Sequence, residues 1–247
     1  VRHAWLIEHR KTEADYWWFV NKRRLVFDWL AAHPAPGPRL LEVGSGGGYL
    51  AGRLQARGWQ VTAADLWPDA AAFAREQGVP GAVAFDAAAP WPLAGASFDA
   101  VVMLDVLEHL PDDVAALREL RRVLRPGGVA VISVPAYGWL FSAWDTYNAH
   151  HRRYTAGQLA AAAAAAGLDC AARGHWNLIS LPPAMVLRLR DRWRGAVIDH
   201  AEYPPVAPWV QRALVAWGRF EAWWLRRAAL PAGLSAFAVL RRPGESA

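Results

Sequence analysis

Cysteine is almost absent from this chain. Cys170 is the only one, which excludes an intramolecular disulfide and a cysteine-cluster zinc site and fits a reducing compartment. Its thiol is expected to pack in the core rather than act as a nucleophile. Lysine is nearly as scarce, with Lys11 and Lys22 set against 25 arginines, so a lysine-rich nucleic-acid tail is excluded. No charge-free run supplies the ~18 apolar residues of a membrane span. The longest, Pro126 to Trp144, is broken by Gly127, Gly128, Pro135 and Gly138. Residues Val1 to Trp5 carry no secretory apolar stretch, and the expected location is cytoplasmic, with membrane association left open. No internal repeat occurs at solenoid spacing.

What the sequence holds instead is apolar bulk, tryptophan and unevenly placed charge. With 54% hydrophobic residues over 247 positions, the chain can bury a sizeable core. Residues 1 to 170 hold 16 basic and 17 acidic side chains, net −1, whereas residues 171 to 247 hold 11 arginines against 5 acids, net +6. Six of the 15 tryptophans fall in that last third: Trp176, Trp193, Trp209, Trp217, Trp223 and Trp224.

Along the chain, Tyr16 to Leu30 reads as an amphipathic helix ended by the proline-rich loop His33 to Pro38. Strands and helices then alternate. Strands are expected at Arg39 to Val43, Trp59 to Ala64, Ala82 to Phe85, Phe98 to Leu104, Val129 to Val134, Leu168 to Arg173 and Leu234 to Leu240. Helices are expected at Tyr49 to Arg57, Pro68 to Gln77, Asp112 to Leu124 and Thr155 to Gly167, the last capped by Thr155. The run Phe98 to Leu104 is apolar almost throughout, as a strand covered on both faces requires. This alternation specifies an open, doubly wound α/β sheet. The stretch His175 to Gly233 is far too long for an ordinary connection and reads as a helical insertion.

The loop Gly44-Ser45-Gly46-Gly47-Gly48 follows the first strand and opens a helix, where glycines allow a tight turn and close approach of backbone to a ligand. Its spacing departs from a dinucleotide fingerprint, because Tyr49 stands where the third glycine would be. Asp65 ends the second strand, where a carboxylate can accept both hydroxyls of a ribose, and Asp86 ends the third, where it can accept from an adenine amino group. Three successive strand ends therefore suit an adenosine-containing ligand.

At these residues the sequence resembles class I S-adenosylmethionine-dependent methyltransferases, in the broad small-molecule subgroup of the type 11 and type 23 kind. The likeness runs from Leu40 to Ser133 and is carried by Phe98 to Leu110 and by the segment Leu117 to Gly128, with its terminal Arg-Pro-Gly-Gly. It implies a Rossmann-like sheet of about seven strands, mostly parallel with an antiparallel last strand. It also implies S-adenosylmethionine as cofactor, with Glu42 and the loop residues Gly44, Ser45, Gly46 and Gly48 on the methionine part. Asp65 and Leu66 would meet the ribose, Asp86 and the Ala87 amide the adenine, and Asp105 the side where the methyl is transferred. In similar enzymes an aromatic and basic leading helix folds over the cofactor, so Arg23 would meet the methionine carboxylate, with Tyr16 and Trp17 against the acceptor.

Methyl transfer from a sulfonium chiefly needs alignment, and a base is optional. For a hydroxyl acceptor His109 is the first candidate base, with Glu108 and His151 as further catalytic candidates. The segment Asp105-x-x-Glu108-His109 resembles the E-x-x-E-H segment of ubiquinone-pathway O-methyltransferases, which could hold a divalent ion. Asp replaces the first Glu, however, and the reading here assigns no metal. After the fifth strand, the cluster Trp144, Asp145, Tyr147, Asn148, His150, His151, Arg152, Arg153 and Tyr154 is expected to contact the acceptor, its arginines clamping a carboxylate or phosphate.

In the insertion, Val206 to Leu230 puts Arg212, Arg219 and Arg226 on one helical ridge and Trp209, Ala213, Ala216, Phe220 and Trp224 on another. This suits an interfacial helix at anionic lipid, through residues 178–230. The competing reading, slightly favoured, packs those tryptophans on the main domain or on a second copy of the chain. No nucleic-acid partner is expected. The organisation is then residues 1–38 as a lid helix and linker, 39–174 with 234–247 as the cofactor domain, and 175–233 as the insertion. The function expected is methylation of a small-molecule or lipid-linked acceptor, most simply at oxygen. A nicotinamide oxidoreductase and a non-catalytic adenosine-ligand module at a membrane remain the alternatives.

Overall fold

The computed structural model describes residues 3–195 and 205–244. Two helices, α1 (His3–Thr12) and α2 (Trp17–Ala32), lead into β1 (Arg39–Val43), α3 (Tyr49–Gln55), β2 (Gln60–Asp65), α4 (Pro68–Glu76) and β3 (Gly81–Ala84). The second half runs β4 (Phe98–Leu104), α5 (Asp113–Val123), β5 (Leu124–Pro135), α6 (Ala143–Tyr147), α7 (Ala156–Ala165) and β6 (Asp169–Trp176). It continues with α8 (Leu181–Trp193), α9 (Pro208–Leu225) and β7 (Ser235–Arg241). The seven strands form one sheet in the order β3-β2-β1-β4-β5-β7-β6. The ladders among β1 to β5 are parallel, while β7 runs antiparallel to both β5 and β6.

Period-two alternation explains why both faces are dry. Leu41, Val43, Val101, Met103 and Ile132 point into one core, completed by Leu117 and Leu120 of α5 and Leu159 of α7. Leu40, Val61, Ala100, Val102 and Val131 point into the other, under Leu25 and Trp29 of α2, Leu54 of α3 and Ala222 of α9. Local signals set the helix starts. The Asp112 side chain accepts from Ala115 N at 2.8 Å before α5, and Thr155 and Gln158 form a reciprocal capping box before α7.

Four expectations are corrected. Strand β5 starts five residues early, because Gly127 N donates to Arg242 O and Arg242 N to Gly128 O, both at 2.9 Å, so the Pro-Gly-Gly turn is held to the chain beyond β7. Strand β6 runs on to Trp176, paired with β7 as far as Ser235, so the insertion begins later than His175. Cys170 is exposed on β6, the outermost strand of the sheet. Finally, α9 spans only Pro208–Leu225 and packs on α2 through small residues. A Cβ on Gly218 would sit 2.1 Å from the Asn21 side chain, whose Nδ2 donates to Leu214 O at 3.0 Å. Trp209, Phe220, Trp223 and Trp224 therefore turn outward and are exposed, as are Arg212, Arg219 and Arg226, whereas Trp217 is half-buried beside Asn21 and Glu221. Packing of the Trp209, Phe220 and Trp224 face on the main domain is thus ruled out. Residues 196–204, part of the stretch 178–230 considered for lipid contact, lie outside the described residues.

The insertion is tied to the sheet by one buried acid. Asp145 of α6 is fully buried; its Oδ1 accepts from Arg153 Nε at 2.7 Å and meets His150 Nδ1 at 2.8 Å. Its Oδ2 accepts from Arg188 Nη1 of α8 and from Ser142 N, both at 2.9 Å. Burial alone would raise this acid, but His150, Arg153 and Arg188 outweigh it and hold the pKa at about 2. Asp145→Asn is expected to lose about 3 kcal/mol of stability near neutral pH, since it strands two guanidiniums. A depressed carboxylate stabilises fully above its ordinary value of 3.8 and loses that contribution as pH falls toward about 2. Urea unfolding of both proteins across that window is expected to show the gap closing at low pH; a constant gap contradicts the assignment.

Candidate functional site

The strand order reverses between β1 and β4, and the crevice outside their carboxyl ends is where an open α/β sheet takes its ligand. A cavity of about 780 Å³ opens there, lined by the ends of β1 to β5 and roofed by α1 and α2. Cavities of roughly 300–1,000 Å³ take cofactors and drug-sized ligands.

On one side lies the glycine loop. Gly44 has φ +78°, and a Cβ there would lie 2.2 Å from Val106 Cγ2, so the loop passes hard against the turn after β4. Gly44 N and Ser45 N both donate to Ala64 O, and Gly46 N donates to Asp65 Oδ2 at 2.9 Å. Gly44, Ser45 and Gly46 line the cavity, as do Glu42, Asp65, Leu66, Asp86 and Ala87. Gly48 does not. It faces α4, where a Cβ would meet Ala74 Cα at 2.6 Å, so its glycine serves packing and its expected ligand contact is withdrawn. Glu42 is buried with Oε2 unpartnered. Desolvation, and then the charges of Glu13 and Asp65, push its pKa well up, which favours the uncharged form of this cavity-lining acid.

The leading helices cover this side. Glu13, after α1, accepts from Gly47 N at 2.8 Å and from Tyr49 N at 3.3 Å. Arg23 of α2 donates to the carbonyls of Glu13 and Ala14 and lies over the Tyr49 ring at 4.5 Å. Arg23 does line the cavity, but both terminal nitrogens of its guanidinium are bonded to the segment between α1 and α2. Lys22 pairs with Asp105, a non-glycine residue at φ +52° that turns the chain at the end of β4. Tyr16 and Trp17 line the same cavity.

The other side is built by the 3-10 turn Leu107–His109 and the segment after α6. Glu108 is fully buried, and neither carboxyl oxygen has a partner among the described residues. Desolvation and then Asp105 drive its pKa well above the usual range. Burial, reinforced by His150, lowers His109 to about 4, so its imidazole is neutral at neutral pH. The His109 and His150 rings meet edge to face at 4.6 Å. Donor atoms of Glu108, His109 and His150 lie within 4.8 Å of one another, a set able to hold a divalent ion. The Glu108 oxygens and His109 Nδ1, without hydrogen-bond partners among the described residues, fit such an ion.

Of the acceptor candidates, Arg153 lines the cavity but is buried against Asp145 and Ala136 O. Tyr147, Arg152 and Tyr154 do not line it. Tyr154 donates to Asp113 Oδ2 at 2.9 Å, and Arg152 to Pro111 O while pairing with Asp113, so these two clamp the loop onto the start of α5. His151 lies exposed at the rim, its backbone N bonded to Glu108 O at 2.8 Å. Its neighbour His150 holds the inner position. Sequence reasoning reached Asp145 and His150 only as members of the polar cluster after the fifth strand, and Lys22 only as a basic residue of the leading helix; it missed Glu13 and Arg188. One signal was available: Asp145 is the sole acid among His150, His151, Arg152 and Arg153, and a buried cluster of that sign needs it.

Comparison with known proteins agrees with this geometry. Residues 41–132 match the family model described as a methyltransferase domain. The ubiquinone biosynthesis O-methyltransferase of Xanthomonas campestris pv. campestris (strain B100) is 37% identical over 139 residues, covering 49% of this chain and 56% of that protein. The chain thus spans about half the length of the curated relatives it matches. Among solved structures, the complex between the Haloferax volcanii Trm112 methyltransferase activator and a methyltransferase contains a chain that superposes with TM-score 0.63 at 18% identity, covering 99% of this chain and 96% of that one. The [4+2]-cyclase SpnF superposes with TM-score 0.58 at 24% identity, covering 90% and 81%. Likeness at that identity speaks for the fold alone. With the matched model, the glycine loop and the strand-end acids in agreement, residues 41–132 are a methyltransferase domain of the class I, S-adenosylmethionine-dependent kind.

Proposed function

We propose that the chain transfers a methyl group from S-adenosylmethionine to a hydroxyl of a small or lipid-linked acceptor. One observation carries the reading: a single cavity holds Asp65 and Asp86 at one end and a neutral His109 beside Glu108 at the other. When bound, the cofactor supplies an already activated methyl on a sulfonium, so the protein's work is alignment and exclusion of water. Asp65 would accept from the ribose hydroxyls and Asp86 from the adenine side, while α1 and α2 cover the cofactor. His109, uncharged near neutrality, takes the proton of the acceptor hydroxyl, and His150 orients its ring. The O-methyltransferase relative supports oxygen as the nucleophile. A nicotinamide cofactor is disfavoured by Tyr49 in place of the third glycine.

Calorimetric titration of the intact chain tests this. S-adenosylmethionine and its demethylated product are expected to bind, NAD to fail, and Asp65→Ala to weaken binding about 100-fold, as loss of charge-assisted bonds to two hydroxyls requires. Absence of binding by both sulfur ligands overturns the reading.

We propose also that α8 and α9 rest on an anionic membrane surface. No described helix is long and apolar enough to cross a membrane. Val186, Trp193 and Trp209 are nonetheless 68%, 87% and 69% exposed, beside Arg190, Arg192 and Arg212. Apolar rings next to arginines suit the headgroup region of anionic lipid. Phosphatidylglycerol vesicles are expected to pellet the chain and phosphatidylcholine vesicles not, with Trp193→Ala/Trp209→Ala abolishing the effect. Failure to pellet, or a dimer in light scattering that those substitutions dissociate, assigns the surface to a second copy instead.

A further inference from the structure

Arg188 is out of place for a residue of a surface helix. Its neighbours on α8 point to solvent: Arg190 is exposed and pairs with Asp191. Arg188 instead reaches inward, with its side chain 16% exposed, and lines the cavity wall next to Arg153, whose side chain is 2% exposed. Both guanidiniums lean on the one carboxylate of Asp145. Lys22 and Asp105 pair with each other, so Asp145 is the acid that the two arginines share.

The hydrogen bonds show where that charge is available. All bonds of Arg188 run through Nη1, to Asp145 Oδ2 at 2.9 Å, Ser142 Oγ at 3.0 Å and Leu140 O at 3.5 Å. Its Nε and Nη2 have no partner among the described residues. A guanidinium anchored by one nitrogen and open along its Nε–Nη2 edge presents two parallel donors, the geometry that carboxylate and phosphate oxygens accept in pairs. Holding this cation part-buried costs solvation: burial, and then Arg153, lower its pKa to about 10, which still leaves it charged. An anion would relieve that cost.

We infer that Arg188, backed by Arg153 and locked by Asp145, is an anion subsite for the methyl acceptor, which therefore carries a carboxylate or phosphate group. The subsite touches the chemistry through His150, which bonds Asp145 on one side and packs on the His109 ring on the other. Arg188, His150 and His109 line the same cavity, so an acceptor held at Arg188 shares that space with His109. The insertion thereby contributes acceptor specificity through α8. This inference rests on the methyltransferase reading and names the acceptor's charge.

Three probes separate it from a solvated arginine: benzoate, phenyl phosphate and the uncharged benzamide, titrated calorimetrically into the intact chain with and without S-adenosylhomocysteine. At least one anion is expected to bind about tenfold or more tightly than benzamide, and the tighter of the two identifies the acceptor's group. Arg188→Gln is expected to abolish the preference and Arg190→Gln to keep it. Because Arg188→Gln leaves Asp145 with fewer partners, Arg188→Lys serves beside it: it keeps the charge at Asp145, lacks the paired edge and is expected to lose most of the preference. Binding of S-adenosylhomocysteine reads out folding in each variant, and its absence in the wild type speaks against the cofactor reading alone. Equal binding of benzamide and both anions, no binding of either anion, or a preference that survives Arg188→Gln overturns the subsite.

Discussion

The reversal of strand order between β1 and β4 is the constraint on which the functional edge depends. Helices that follow β1 and β4 pass to opposite faces of the sheet, so no connection covers the gap between those two strand ends. Whatever side chains terminate the strands there face a common space. Glu42 and the glycine loop follow from β1, Asp65 from β2, Asp86 from β3, and Asp105 with Glu108 and His109 from β4. Their chemistry is sorted by dielectric. Glu42 and Glu108, sealed from water, are driven toward their neutral forms.

Asp145 performs a second kind of organisation. A lone carboxylate with no exposed surface persists only because it is saturated with donors, and those donors come from three places: Arg153 and His150 after α6, Ser142 before it, and Arg188 from the insertion. One acid thus holds the His150 imidazole and Arg188 of α8 together. The other long helix of the insertion uses a different device, close backbone approach at Gly218 on Asn21 of α2, which leaves its aromatic face outward.

What was legible in the sequence is what short-range patterning controls. Apolar alternation located all seven strands, and caps such as Asp112 and Thr155 located helix starts, because each signal lies within a few residues of its effect. The strand-end acids were legible for the same reason: a parallel strand puts its last residue at the ligand edge. The rest depended on partners far apart in the chain. Arg188 and Asp145 are 43 residues apart, and Lys22 and Asp105 83, so nothing local marked them as pairs. His150 and His151 are adjacent, and only the turn fixed by Glu108 O on His151 N decides which ring faces inward. Cys170 was read as buried from the habit of its type; its position on the edge strand settles it otherwise. Tyr154 and Arg152 looked like ligand contacts because they are polar and near the site, yet Asp113 at the start of α5 claims both.

The central claim is that one cavity aligns an adenosyl cofactor with the wall formed by Glu108, His109 and His150. A crystal structure of the intact chain with S-adenosylhomocysteine tests it most directly. The account expects the ribose hydroxyls on Asp65, the adenine beside Asp86 and Ala87, and the sulfur facing His109. A ligand seated outside this cavity, or one whose sulfur points away from that wall, contradicts it.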